Sequence, residues 1–223
     1  MSPYPHAFDA ASNLVSPEIP PGLNNSFPPL RLGVMASGSG SNFEAIAQAI
    51  ADQTLNAQIQ VLVYNNPGAK AAARAERWGL PAVLLNHREF PNREELDRAI
   101  VQTFHQHNVE WVIMAGWMRI VTPVLIHAFP NRMLNIHPSL LPSFKGNRAV
   151  EQALAAGVKI TGCTVHLVVP EVDSGAIIMQ AAVPVLPEDT VESLHERIHL
   201  QEHRIFPLAI ALAAKECEQN KPL

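Results

Sequence analysis

The stretch RLGVMASGSGSNFEAIAQAIAD (residues 31–52) passes from an apolar run into a loop of glycines and serines, and then into a segment with helical periodicity. A short apolar run that ends at glycines is typical of a buried strand, and apolar residues spaced three and four apart indicate an amphipathic helix. The stretch therefore predicts a strand, a glycine loop and a helix, which together form the first half of a βαβ unit.

The chain repeats this alternation. Further strands are predicted at 59–65, 81–85, 111–116 and 132–137, and helices at 69–79, 93–107 and 147–157. Two later strands, 161–169 and 176–185, are joined by a hairpin-like connection. A final helix at 190–216 is expected to be interrupted or kinked near Pro207. We therefore expect an α/β, Rossmann-like fold with a mostly parallel sheet, helices on both faces and some antiparallel strands in the second half.

Residues 1–30 differ in composition from the rest of the chain. They hold seven of the nineteen prolines, two acidic residues and no lysine or arginine. A secretory signal needs a basic start followed by a long apolar stretch, and neither is present. We expect a flexible, Pro-rich arm at 1–30, a folded domain that begins at Arg31, and a cytoplasmic location.

Bulk composition limits the classes of function. The chain has 223 residues, of which 48% are hydrophobic, and a formal net charge of −4. A nucleic-acid-binding protein usually has a basic excess, so we expect small-molecule partners and no nucleic acid. No apolar run approaches the roughly 20 residues of a membrane helix, so we expect no membrane partner. Two cysteines, Cys163 and Cys217, indicate no disulfide framework.

The loop SGSGSN (37–42) is the first candidate site. Its glycines let the backbone approach a ligand closely, and the free N–H groups at the start of the following helix favour an anion such as a phosphate monoester. It matches neither the G-x-G-x-x-G fingerprint nor the Walker loop. The alternative is an ordinary turn between a strand and a helix.

The stretch LNIHPSLLP (134–142) supplies the second site. Asn135 and His137 alternate on a strand and therefore point to the same face. Asp173, in the connection between the last two strands, is placed to orient His137 and to raise its pKa. Asn135 is suited to donate to an oxygen that gains negative charge. Since no side-chain nucleophile accompanies them, the substrate must bring its own; the alternative is a buried structural histidine.

The segment HERIH (195–199) matches the H-E-x-x-H pattern of zinc proteases. His195 and His199 are one helical turn apart, with His203 one turn further on. The continuation H-x-x-G-x-x-H is missing, and only Glu216 and Glu218 are available as remote ligands. We therefore expect no metal site here, and keep a zinc hydrolase that uses His195, Glu196 and His199 as a remote alternative.

Five motifs together resemble the phosphoribosylglycinamide formyltransferase family. They are SGSGSN (37–42), AGWMRI (115–120), LNIHPSLLPSFKG (134–146), TVHLVVPEVDSG (164–175) and QEH (201–203), in the family's order. The resemblance spans residues 31–212 and implies a single formyltransferase domain at 31–216. It implies transfer of the formyl group of 10-formyltetrahydrofolate, as co-substrate, to the amine of glycinamide ribonucleotide in purine synthesis. A monomer or homodimer and no required metal are expected.

The same resemblance assigns the site residues. It implies that Asn135, His137 and Asp173 are catalytic. It implies that the phosphate and ribose of the substrate are bound by Ser39, Gly40, Ser41, Asn42 and Glu202. For the folate it implies Arg93, Met118, Arg119, Ile120, Val121, Leu134, Asn135, Val168 and Asp173, with Arg93 and Arg119 as candidates for the glutamate carboxylate.

Three positions depart from the family pattern. Arg148 stands where many members have a histidine, His199 where glutamine is common, and Trp117 where phenylalanine is common.

Two other enzymes that use the same fold are alternatives to this assignment. A formyltetrahydrofolate hydrolase would let water attack and usually carries a regulatory domain ahead of the catalytic one. A methionyl-tRNA formyltransferase would need a basic RNA-binding module, and a non-catalytic nucleotide-binding module would have no use for the Asn135, His137 and Asp173 set.

Overall fold

A computed structural model describes residues 14–25 and 27–219 of the chain, and they form one eight-stranded sheet with helices on both faces. The strands are β1 (Val15–Ser16), β2 (Leu30–Ala36), β3 (Ala57–Tyr64), β4 (Ala82–Leu84), β5 (Trp111–Met114), β6 (Met133–His137), β7 (Ile160–Leu167) and β8 (Ile177–Pro184). Their order across the sheet is β1-β8-β7-β6-β5-β2-β3-β4. The five strands from β6 to β4 are parallel, whereas β7, β8 and β1 pair antiparallel. The predicted fold class is confirmed.

The helices are α1 (Ser41–Ala51), α2 (Lys70–Arg77), α3 (Arg93–Gln106), α4 (Pro123–Ala128), α5 (Ala149–Ala155) and α6 (Val191–Gln219). Two hydrophobic clusters cover the two faces of the sheet. One joins β2 and β5 to α1 and α6 through side chains such as Phe43 and Phe206, and the other joins β3 and β5 to α3 and α4 through Phe104 and Leu125. Parallel strands buried on both faces need this double cover, which explains their continuous apolar runs.

Two predictions about the helices are incomplete or wrong. Helix α4 was not predicted; it begins at Pro123 after Thr122, whose side chain accepts a hydrogen bond from the Val124 N–H. The last helix is not interrupted at Pro207, because α6 runs unbroken from Val191 to Gln219 with the proline inside it. Pro207 is buried among the apolar side chains of α6, so packing against the sheet maintains the helix around it.

The segment expected to be a flexible arm is partly docked. In β1, Val15 pairs with Ala181 of β8, and the Leu23 and Phe27 side chains are buried in the core beside β2. Arg31, the expected start of the domain, lies inside β2, which begins at Leu30. The remaining arm positions, 1–13 and 26, lie outside the described residues.

The sheet brings the ends of three strands to one edge. Since β2, β5 and β6 are adjacent and parallel, the segments that follow them emerge side by side. β7 runs antiparallel to β6, with Asn135 opposite His166 and His137 opposite Thr164. β7 ends opposite Leu134 near the start of β6, and the connection to β8 folds back so that Asp173 contacts His137 at the carboxyl end of β6. Among the described residues, no helix combines the length and apolar character needed to cross a membrane.

Candidate active site

A cavity of about 940 Å³ opens at this edge of the sheet. Its walls are the loop after β2, the segment after β5, the end of β6, the connection between β7 and β8, and one side of α6. This size lies within the range that holds a small-molecule ligand, and the carboxyl end of an α/β sheet is the usual place for one.

Asn135, His137 and Asp173 meet on one wall of this cavity. The His137 Nδ1 atom is 3.4 Å from the Asp173 Oδ2 atom, and both side chains are less than a tenth exposed. The Gly146 N–H donates to the same Oδ2 atom at 2.8 Å. Asp173 adopts a positive φ of 49°, which aspartate tolerates better than most residues. The structure thus brings together the three residues that the sequence grouped.

Two contacts fix the orientation of the His137 ring. The Nε2 atom is 2.8 Å from the Phe144 carbonyl oxygen, which can only accept, so Nε2 carries a hydrogen and donates. The Nδ1 atom faces the Asp173 carboxylate. The ring is therefore held between the Phe144 carbonyl oxygen and the Asp173 carboxylate.

Asp173 is held as a carboxylate. Burial by itself would raise the pKa of this carboxyl group, but the contact with His166, the hydrogen bond from the Gly146 N–H and the charge of His137 together lower it overall. Asp173 is therefore charged at neutral pH.

His166 is a member of the site that sequence reasoning missed. Its Nε2 atom is 3.2 Å from the Asn135 Nδ2 atom and 3.5 Å from the Asp173 Oδ1 atom, and its Nδ1 atom is 2.8 Å from the Leu167 carbonyl oxygen. The side chain is 3% exposed and lies on the cavity wall. His166 belongs to the motif TVHLVV at residues 164–169. Its position opposite Asn135, however, depends on the antiparallel register of β6 and β7.

The loop 37–42 forms the opposite wall, with Ser39, Gly40, Ser41 and Asn42 all facing the cavity. Gly40 caps α1 at a φ of 71° and, having no side chain, makes no capping hydrogen bond. The first N–H groups of α1 therefore remain available for an anion. A Cβ atom at Gly40 would lie 2.7 Å from the Cα and Cβ atoms of Ala71, so α2 packs directly against the glycine.

Arg74 of α2 secures this loop. Its Nε atom donates to the Ser39 carbonyl oxygen at 2.8 Å, and its Nη1 atom pairs with the Glu44 carboxylate at 2.6 Å. Arg77 and the Trp78 Nε1–H reach the same carboxylate at 2.9 and 3.0 Å. Burial raises the pKa of Glu44, but these hydrogen bonds and charges lower it overall, so the carboxylate stays charged.

Glu202 of α6 contacts the last residue of the loop 37–42. Its Oε2 atom accepts from the Asn42 Nδ2–H at 2.8 Å and lies 3.6 Å from the His199 Nε2 atom. The Glu202 side chain is almost wholly buried, which raises the pKa of the carboxyl group. The residue assigned to the ribose therefore contacts the end of the loop 37–42.

Most residues assigned to the folate line the other end of the cavity. They are Arg93, Met118, Arg119, Ile120, Val121, Asn135, Val168 and Asp173. The Met118 and Ile120 side chains are 72% and 54% exposed, which is unusual for apolar residues and marks a surface that a flat ligand would cover. Leu134 is the exception: its side chain is fully buried in the core, on the face of β6 opposite to Asn135, and does not line the cavity.

The H-E-x-x-H helix lies at the side of the cavity. The rings of His195 and His199 are tilted at 40° with centroids 4.0 Å apart, and both line the cavity, whereas Glu196 is exposed. Within the described ranges, no group of three or more His, Cys, Asp or Glu side chains is arranged to hold a metal ion. Arg148, at the rim, pairs with Glu151 at 3.2 Å.

Comparisons with known proteins agree with this geometry. The model of the family described as Formyl transferase matches residues 30–210. A phosphoribosylglycinamide formyltransferase of Bacillus subtilis is 40% identical over 180 residues, 81% of this chain and 92% of the relative. The solved structure of glycinamide ribonucleotide transformylase 1 from Symbiobacterium toebii is 45% identical, covers 84% of this chain and 89% of that chain, and superposes with a TM-score of 0.83.

A second group of relatives is much longer. The trifunctional purine biosynthetic protein adenosine-3 of Homo sapiens is 46% identical over 184 residues, which is 82% of this chain and 18% of the relative. The chain therefore spans about a fifth of the length of these multifunctional relatives.

Proposed function

The chain belongs to the formyl transferase family, and from that premise we propose that it transfers the formyl group of 10-formyltetrahydrofolate to the amine of glycinamide ribonucleotide in purine synthesis. The products are formylglycinamide ribonucleotide and tetrahydrofolate. The observation that carries the proposal is the cavity with an anion-binding loop at one end, exposed apolar residues at the other, and Asn135, His137 and Asp173 between them. A single domain that extends beyond the expected bounds of 31–216 to include β1 and the end of α6, a cytoplasmic location and a monomeric or homodimeric state complete the proposal.

The ribonucleotide is oriented by the loop and α6. Its 5′-phosphate binds the free N–H groups of Gly40, Ser41 and Asn42, with Ser39 beside them, and its ribose hydroxyls bind Glu202. This places the amine above β6. The folate lies across Met118, Ile120 and Val168, with Arg93 and Arg119 near the entrance for its glutamate carboxylate.

The reaction begins with attack of the neutral amine on the formyl carbon. The carbonyl oxygen takes the electron pair of the C=O bond and becomes an oxyanion, to which Asn135 donates through its amide. The His137 Nε2–H, which donates to the Phe144 carbonyl oxygen in the structure, turns to the oxyanion when substrate is present. The positive charge of the imidazolium stabilises the developing negative charge.

Collapse of this intermediate requires one proton to move. The attacking nitrogen is positively charged after the attack and gives a proton to the Asp173 carboxylate, directly or through one water. Asp173 then passes this proton to the departing folate nitrogen as its bond to the formyl carbon breaks, and returns to the carboxylate, so charge balances over the cycle. Asp173 is suited to this role because its pKa is lowered, which leaves it unprotonated between turnovers.

The test is an absorbance assay of folate product formation with and without glycinamide ribonucleotide at about pH 7.5. We expect turnover that depends on the ribonucleotide. We also expect His137→Ala and Asp173→Asn to lower kcat by at least about a hundredfold, as is usual for loss of an acid–base or oxyanion group. Folate consumption without the ribonucleotide would instead show a hydrolase and contradict the proposal.

The remote zinc hydrolase is tested with the same assay. Glu196→Gln removes the carboxylate that a zinc hydrolase would use as its general base, yet Glu196 is exposed on α6. We expect this variant and a chelator-treated wild type to keep full activity. Loss of activity in both would favour the metal-dependent reaction.

A further inference from the structure

Helix α6 presents three histidines one turn apart that formyl transfer, as proposed, does not use. The ring centroids of His195 and His199 are 4.0 Å apart, and those of His199 and His203 are 5.9 Å apart. His195 and His199 line the substrate cavity, whereas His203 lies on a separate shallow groove between α1 and α6. Only the first two imidazoles can therefore face a ligand in the cavity.

His199 lies next to the anion-binding end of the cavity. Its Nε2 atom is 3.6 Å from Glu202 Oε2, and the same oxygen accepts from the Asn42 Nδ2–H at 2.8 Å. Asn42 is the second residue of α1, whose free N–H groups form the anion site. The buried Glu202 side chain thus links a half-buried imidazole to Asn42 at the start of α1, so a bound phosphate would act on His199 through poorly solvated surroundings.

Both members of this pair are at least half-buried, which disfavours their charged forms. Burial lowers the pKa of His199 and raises that of Glu202. The titratable and charged groups that face the cluster of His195, His199, Glu202 and His203 from other elements are Glu151 of α5, Arg74 of α2, His137 of β6 and Cys163 of β7. Glu151 pairs with Arg148, and Arg74 pairs with Glu44, so neither has an uncompensated charge.

We propose that His199 takes up one proton from solvent when the phosphate-bearing end of the ribonucleotide binds, and that this residue links substrate affinity to pH. The inference rests on the proposed function, since it requires a phosphate at the start of α1. A phosphate dianion favours the charged imidazole and so raises its pKa in the complex. Affinity is therefore highest below the pKa of the free enzyme and falls as the pH rises through the pKa of the complex. The slope reaches at most about tenfold per pH unit, the limit for one linked proton.

The experiment is titration calorimetry of the full chain with glycinamide ribonucleotide at about pH 7, in two buffers of different ionisation enthalpy. The difference between the two heats gives the number of protons taken up on binding. Wild type, His199→Gln and His203→Gln are compared. The His203 variant is a matched control because it removes a stacked, half-buried imidazole from the same helix without altering the cavity. Protons released by the substrate are common to all three proteins and cancel in the comparison.

We expect the His199→Gln complex to take up fewer protons than the wild-type complex, by up to one, and its affinity to depend less on pH. His203→Gln should behave like wild type. Equal uptake in wild type and His199→Gln would overturn the inference while leaving the proposed function intact, and so would equal loss in both variants. Unchanged binding of 10-formyltetrahydrofolate shows that a variant is folded. Absence of any ribonucleotide binding by wild type would instead reject the proposed function.

Discussion

His166 lies opposite Asn135 on the neighbouring antiparallel strand, and its Nε2 atom contacts both the Asn135 amide at 3.2 Å and the Asp173 carboxylate at 3.5 Å. The Leu167 carbonyl oxygen holds the other ring nitrogen at 2.8 Å. The imidazole is therefore held in place by the Leu167 carbonyl oxygen and orients Asn135 and Asp173. Residues that lie behind the catalytic groups do the same in other active sites.

Replacing His166 by glutamine should move the acid limb of the pH profile of kcat/KM to higher pH. The reason is that the contact with His166 helps to lower the pKa of Asp173, so its loss raises that pKa and the carboxylate forms only at a higher pH. The measurement is kcat/KM between about pH 5 and 9. His127→Gln, at an exposed position on α4, is the control and should leave the profile unchanged. An unshifted acid limb in the His166 variant would contradict this role.

Replacing Arg74 by glutamine should raise KM for glycinamide ribonucleotide by about tenfold, because a charge-assisted hydrogen bond to the loop is lost. KM for the folate should stay close to the wild-type value, since the Arg74 side chain binds the Ser39 carbonyl and Glu44 and does not line the cavity. Steady-state kinetics with each substrate varied in turn checks both statements.

Arg77→Gln is the matched control for Arg74. Arg77 pairs with the same Glu44 carboxylate at 2.9 Å but is 62% exposed. Exposed ion pairs contribute little to the stability of the structure around them, so we expect the Arg77→Gln variant to have kinetics close to those of wild type. If the two variants raised KM equally, the effect would come from Glu44 and not from the loop contact.

Gly40→Ala should destabilise the protein more than Gly79→Ala. Both glycines have a positive φ, of 71° and 64°, so each alanine has the same backbone cost of about 1–2 kcal/mol. Only at Gly40 does the new methyl group meet a neighbour, since Ala71 would lie 2.7 Å away, whereas nothing lies within 4 Å at Gly79. Urea unfolding of both variants gives the two free energies. Equal destabilisation would mean that α2 can shift away from the loop.

One of the two thiols should react with a disulfide reagent in the native protein, and both should react in denaturant. Cys163 is fully buried in β7, and burial strongly raises the pKa of its thiol, whereas Cys217 is partly exposed near the end of α6. Since the thiolate is the reactive form, Cys163 is inert while the fold is intact. The number of reactive thiols is measured from the absorbance of the thiolate that the reagent releases at pH 8. Rapid reaction of both thiols without denaturant would contradict the buried position of Cys163.

Much of the fold follows from local pattern. Every predicted strand, and every predicted helix, is present within a few residues, because apolar runs and glycine stops are properties of neighbouring residues. Helix α4 escaped prediction because six residues give too little periodicity. The unbroken course of α6 through Pro207 depends on tertiary packing, which outweighs the local cost of proline.

The candidate site was predictable where its residues share one element or one motif. Asn135 and His137 lie two apart on β6, and strand alternation alone puts them on one face. His166 could not be assigned in the same way, because the register between β6 and β7 depends on pairing between distant segments. The same alternation should have excluded Leu134, whose side chain points to the opposite face of β6 from Asn135 and His137 and is buried in the core.

The two-residue strand β1 has a consequence for how the chain behaves in a crowded solution. Its pairing with β8, including the hydrogen bond from the Ala182 N–H to the Leu14 carbonyl oxygen at 2.9 Å, covers backbone groups that would otherwise form an open sheet edge. Uncovered edges are templates for strand addition by another copy of the chain. Residues 14–16 therefore protect the edge strand β8 from pairing with another copy, and a chain that starts at Arg31 would expose that edge.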